Sequence, residues 1–141
     1  MTHEWTRGDY TISTDPRRLD LDVIHGFLTR SYWAEGRSRE RVALSIAHSL
    51  PFGLYHPSGQ VGFARVVTDG VTFGWVCDVF VDEAERGRGV GDLLMGTIAT
   101  DPRLVGLRRL ALATRDAHGL YERHGFGPLV NPERWMERRR P

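Results

Sequence analysis

The sequence predicts one α/β domain, α+β in stricter usage, built on a mixed and mostly antiparallel central sheet of six to seven strands flanked by about four helices. Three observations lead there. Turns at Pro57-Ser58-Gly59 and Asp69-Gly70 join three strand-like runs into an antiparallel meander. The third run passes from Phe73 through a glycine loop into a helix. A chain of 141 residues is of ordinary size for one domain and buries a core without staples.

In chain order, residues 10–14 read as a first short strand, closed by Asp15-Pro16, a turn or helix-start signal. Leu19, Val23, Ile24, Phe27 and Leu28 then give a helix one apolar face, with Gly36 as its stop. Ser38 caps a second helix that turns Val42, Ile46 and Leu50 inward and ends before Pro51. Residues 52–56 and 60–68 read as hairpin-linked strands, with Arg65 in mid-strand expected to face solvent.

From Phe73 the sequence alternates: Phe73, Trp75, Cys77, Val79 and Val81 share one face, Gly74, Val76, Asp78, Phe80 and Asp82 the other. Cys77 is expected to pack on the larger apolar face as a buried thiol rather than to act as a nucleophile. After the loop, Val90, Leu93, Leu94, Thr97 and Ile98 recur at helical spacing up to Asp101-Pro102. Residues 107–113 read as a strand. A helix follows from Asp116, carrying Ala117, Leu120, Tyr121 and His124 and ending at Gly125. Residues 126–130 and 134–138 are expected to add a further strand and a last edge strand. His118 and His124 lie six apart, unlike a metal pair on one helical face, and no metal is expected.

The loop carries the chemistry. The first turn of a helix leaves backbone N–H groups unpartnered at the positive end of its dipole, which suits an anion. Gly87, Gly89 and Gly91 clear side chains from those donors, while Arg86 and Arg88 add charge, so a diphosphate is the natural ligand. A P-loop needs Lys and then Ser or Thr after the last glycine, where this chain has Asp92 and Leu93. A Rossmann fingerprint needs GxGxxG, usually in an opening βαβ unit; here the pattern is GxGxG, past mid-chain.

Arg86-Gly87-Arg88-Gly89-Val90-Gly91 resembles the [Q/R]-x-x-G-x-[G/A] acetyl-CoA motif of the GNAT superfamily of N-acetyltransferases, and Ala117-x-x-Leu120-Tyr121-x-x-x-Gly125-Phe126 is similar to its later A-x-x-L-Y-x-x-x-G-F segment. The resemblance covers nearly the whole chain, 1–141, as one GNAT-like domain. It implies a sheet splayed beside the strand before the loop, and acetyl-CoA as donor substrate. Pantetheine would pair with Val79, Phe80 and Val81, and the pyrophosphate would lie on Arg86, Gly87, Arg88, Gly89, Val90 and Gly91. Thr114, where the family commonly has Asn, and Tyr121 are carried as further cofactor contacts.

Tyr121 falls where the family frequently places the tyrosine that protonates the CoA thiolate; the alternative is a core aromatic. Asp78 is the candidate to bind or deprotonate the amine, since Trp75 occupies the position where the family often has an acid. The segment between the first two helices commonly forms one wall of the acceptor site in this family. Tyr32, Trp33, Glu35 and Arg37 are therefore substrate-contact candidates together with Asp78, the alternative being a structural turn with Trp33 half-buried.

Arginine and lysine total 19 and acidic residues 18, a balance that gives no reason to expect nucleic acid or an anionic membrane as partner. The terminal Arg138-Arg139-Arg140 reads as a solvated tail. One cysteine excludes an internal disulfide, and no segment resembles a signal peptide or membrane span, so the cytoplasm is the expected location. The expected function is acetyl transfer to a primary amine of a small molecule or peptide, a homodimer being an allowed assembly. Its rivals are a CoA-binding regulatory or sensor domain of the same fold and an interaction module that binds no cofactor.

Overall fold

A computed structural model describes residues 2–141. Six segments satisfy their backbone hydrogen bonds in one sheet of order β1-β2-β3-β4-β5-β6: β1 (Glu4–Arg7), β2 (Tyr10–Ser13), β3 (Leu50–His56), β4 (Gly59–Thr68), β5 (Phe73–Val81) and β6 (Arg109–Ala111). Neighbours are antiparallel except β5 and β6, which run parallel. The expected meander is β3, β4 and β5. Its second turn is pinned by Asp69 Oδ1, which accepts the Val71 and Thr72 N–H groups at 2.9 and 2.8 Å.

Four helices cover the sheet: α1 (Leu21–Leu28), α2 (Arg39–Ala47), α3 (Val90–Thr100) and α4 (His118–Glu122). Asp20 caps α1 by accepting from Asp22 and Val23, and Ser38 caps α2 by accepting from Arg41. One core joins α3 to the sheet through Phe52, Leu54, Val66, Val76, Leu94 and Ile98. On the other face Ile24, Leu28 and Val42 pack with Phe63 and Phe80. Side chains of this kind each contribute about 1.5–3 kcal/mol when fully buried, so both faces hold the sheet between helices.

One irregularity in β5 positions the site. Phe63 pairs with Phe80, but Arg65 pairs with Cys77, so β5 carries one residue more than β4 across this step. Asp78 sits in that bulge at φ +54°, the one non-glycine residue with positive φ among those described. The bulge reverses the alternation. Val79 and Val81 pack with the α3 core alongside Val76, while Phe80 turns to the α1 side and stacks on Phe27 at 4.1 Å. Strict alternation through Asp82 is therefore incorrect. Cys77 is not in the core but lines a cavity beside Trp75, and burial pushes its thiol up to about 11.

Other boundaries also differ from expectation. β1 adds an edge strand that the short polar run Glu-Trp-Thr-Arg did not announce. The α1 helix stops at Leu28, well before Gly36, and Leu50 and Pro51 belong to β3 rather than to the end of α2. The strand expected over 107–113 contracts to three residues. Neither expected strand after α4 forms: Pro128 and Pro132 lack ladder donors, Pro132–Arg134 forms a 3₁₀ turn, and Trp135 packs instead near Phe73 and Arg109.

Candidate active site

Pairing between β5 and β6 ends at Trp75 and Ala111, so the strands part and leave the remaining edge of β5 without a neighbour on that side. A cleft of about 1140 Å³ occupies the gap. Val79, Phe80 and Val81 form one wall, Gly87, Gly89, Val90 and Gly91 a second, and Ala117, Leu120 and Tyr121 a third.

The glycine loop reaches α3 through left-handed backbone at Gly87 (φ +80°) and Gly89 (φ +73°), which a side chain would strain. Gly89 is the N-cap and offers no side-chain cap; its carbonyl accepts from Leu93 at 3.1 Å. The N–H groups of Val90, Gly91 and Asp92 thus open toward a ligand without a capping side chain in competition. Arg86 lines the cleft, but Arg88 does not. Its exposed guanidinium lies 3.4 Å from the Glu85 carboxylate.

The edge hairpin braces this loop. Arg7 donates through Nη2 to the Gly89 carbonyl at 3.1 Å, and the Tyr10 hydroxyl donates to Glu85 Oε2 at 2.9 Å. Sequence reasoning missed Arg7 and Glu85 because the contacts span 82 and 75 residues.

A smaller cavity of about 360 Å³ adjoins the cleft. Asp78, only 4% exposed, accepts from Trp33 Nε1 at 3.0 Å on Oδ1 and from Arg37 Nη1 at 2.8 Å and Arg65 Nε at 2.6 Å on Oδ2. A carboxylate has about four acceptor positions, and three of these are taken. Asp78, the candidate to bind or deprotonate the amine, is among the residues lining this cavity, and these bonds tie the α1–α2 connection to β5. Arg65, expected in solvent, points into the same cluster. Its place among Phe63 and Val67 on one face of β4 was the available signal that it was not an ordinary surface charge.

Trp33 and Tyr32 line both cavities, and Arg37 lines the smaller one. The Tyr32 hydroxyl accepts the Arg115 N–H at 3.1 Å, and the Arg115 guanidinium lies 3.8 Å from the Tyr32 ring centre. Glu35 is exposed and lines neither cavity, so the structure does not bring it to the site. Thr114 lines the smaller cavity, not the cleft, and its hydroxyl accepts the Ala117 N–H at 3.0 Å to start α4.

Tyr121 lies where the two spaces meet, lining each. Its ring packs edge-on against Phe126 at 6.0 Å, and its hydroxyl makes no hydrogen bond among the described residues. Burial pushes the phenol above its ordinary value, and the nearby Tyr32 and Asp116 act in the same direction. The group therefore remains a neutral proton donor at physiological pH.

An acetyltransferase (GNAT) domain model matches residues 48–128, from the end of α2 through the glycine loop to α4 and Gly125. The chain belongs to the GNAT acetyltransferase family. A candidate acetyltransferase from Gibberella zeae is 33% identical over 140 residues, covering 83% of this GNAT chain and 78% of the relative. The crystal structure of a candidate GNAT acetyltransferase from Xanthomonas campestris pv. campestris is 44% identical, covers 96% of each chain and superposes with a TM-score of 0.91. The ribosomal-protein-S18-alanine N-acetyltransferase of Escherichia coli shares the GNAT fold at a TM-score of 0.70, with 23% identity over 86% of this chain and 79% of its own. No helix among the described residues is long and apolar enough to cross a membrane.

Proposed function

We propose that this GNAT acetyltransferase moves an acetyl group from acetyl-CoA directly to a primary amine of a small molecule or peptide. The observation that carries the reading is the continuity of the two spaces: Tyr121 and Val79 line both the cleft beside the glycine loop and the smaller cavity beside Asp78. Donor and acceptor entering from opposite sides would meet there.

The residues present suit a CoA thioester. Uncapped N–H groups at the start of α3, with Arg86 beside them, fit a pyrophosphate, and the open edge of β5 fits the amide groups of pantetheine. Bound acetyl-CoA supplies an activated acyl carbon. A β5 backbone N–H in the 79–81 segment stabilises negative charge developing on the carbonyl oxygen, and Tyr121 returns a proton to the departing sulfur. Asp78 acts as a positioning residue for Trp33 and Arg37 rather than as the base, while Tyr32, Trp33 and Arg37 wall the acceptor space. Thr114 contributes by fixing the start of α4. A cytoplasmic site of action accords with a single free thiol.

The test is release of CoA thiol from acetyl-CoA on addition of a diverse amine panel, with the acetylated amine identified by mass. Stoichiometric thiol and N-acetyl product are expected. Tight CoA binding without thiol release for any amine would instead support a regulatory CoA-binding domain.

A further inference from the structure

The smaller cavity carries a charge pattern that specifies more than an amine. In its wall, Arg37 and Arg65 approach the same Asp78 oxygen at 2.8 and 2.6 Å, so two guanidinium groups share one carboxylate. That leaves an excess of one positive charge. Arg65 uses its Nε and Arg37 one Nη1 for this purpose, and neither guanidinium makes another side-chain hydrogen bond among the described residues. A guanidinium carries five N–H donors, so most remain free. Their side chains are 25% and 14% exposed, and both line the cavity, which makes those donors reachable from it.

A group of opposite sign also lines the cavity. Asp116 lines both cavities at their junction, in the company of Tyr121 and Val79. Its own ion partner, Arg115, is 3.4 Å away and both are well exposed, a pairing of little strength. Apolar lining is supplied by Trp33, Trp75, Val67 and Leu112. A volume of about 360 Å³ lies near the lower end of the ~300–1,000 Å³ typical of small-molecule sites.

We infer that the acceptor is a small amino carboxylate, its carboxylate held by the spare N–H groups of Arg37 and Arg65 and its amine at the junction beside Asp116 and Tyr121. This rests on the acetyl-transfer reading and narrows its acceptor class. A planar carboxylate matches the guanidinium fork, and the aromatic walls accept a hydrocarbon side chain. The amine reaches the junction as an ammonium ion, loses one proton to solvent, forms the C–N bond to the acetyl carbon and gives up a second proton to solvent as that bond completes. The C–S bond breaks, and the sulfur takes the Tyr121 proton, which solvent replaces. The product is a neutral N-acetyl group on an intact carboxylate.

The experiment uses matched acceptor sets: free amino acids with aromatic, aliphatic and basic side chains, each beside its primary amide and its decarboxylated amine. The parent protein is expected to favour the free acids by about 10–100-fold in kcat/KM, the range a charge-assisted hydrogen-bond pair supplies. Arg37→Gln is expected to collapse that ratio toward one, mainly through KM. Calorimetric titration of the same sets into CoA-saturated parent protein reads the preference as Kd, without dependence on turnover or on the variant's folding. Amides or decarboxylated amines used as well as the acids would overturn the inference and leave acetyl transfer standing. No binding and no turnover of any member, with CoA still bound, would overturn it as well and direct attention to peptide acceptors.

Discussion

Tyr121 combines burial with access, being 9% exposed while its ring lines both cavities. Burial keeps the proton on the phenol, and access gives that proton somewhere to go. Tyr121→Phe retains the ring and its packing against Phe126, so folding and CoA affinity are expected to survive. Measured under conditions limited by chemistry, kcat is expected to fall by about 10²–10⁴, with the alkaline limb of its pH profile altered. Burial raises the folded phenol above its ordinary value, so the parent keeps this proton to higher pH than a free tyrosine would. Asp78 behaves differently in the same comparison. Asp78→Asn leaves Arg37 and Arg65 sharing a neutral amide, and removal of one partner from a buried ionic cluster costs about 3 kcal/mol or more. Urea unfolding without any ligand is expected to register that loss, and unchanged stability would contradict the positioning role.

At the scale of elements, the strand, glycine loop and helix that form the cleft were legible because each obeys a local rule: period two, left-handed glycines, then period 3.6. The motif around Tyr121 was equally local. The bulge at Asp78 was not, since it arises from pairing with β4 and can be read only from register. For the same reason Arg65 and Arg37 looked unrelated in sequence although one carboxylate joins them. The C-terminal strands were overpredicted from apolar residues around Phe126 and Trp135: Pro128 denies the first a ladder donor, and the 3₁₀ turn at Pro132–Arg134 takes the start of the second. The β1–β2 hairpin was half visible, and its missed strand supplies Arg7, whose contact with the Gly89 carbonyl holds the loop. Arg7→Ala is expected to weaken CoA binding by a factor of about 2–10, the worth of one hydrogen bond, with little change in unfolding midpoint. Unaltered affinity in calorimetry would remove the brace from the account.

For the whole molecule, alkaline pH has a defined consequence. Every basic side chain counted with lysine is here an arginine, so no ammonium side chain titrates near pH 10. Tyr55 is pushed up to about 12 by burial, with its hydroxyl unpartnered, and Cys77 to about 11 for the same reason. These groups keep their protons longer folded than unfolded, so the stability present below their ordinary values is lost as pH rises through the folded ones. Urea midpoints are expected to decline between about pH 9 and 12, and less steeply above about pH 10 in Tyr55→Phe. The proposed CoA binding is expected to raise stability by roughly 2.7 kcal/mol at about a hundredfold its Kd. The central claim is that the glycine loop at the start of α3 receives the CoA diphosphate, and calorimetric titration of CoA into the parent and into Gly89→Val tests it most directly. A β-branched residue at φ +73° strains the loop and brings a side chain against the Arg7 guanidinium that braces it, so saturable one-to-one binding is expected in the parent and none in the folded variant. Parental affinity in a folded Gly89→Val protein would contradict the assignment.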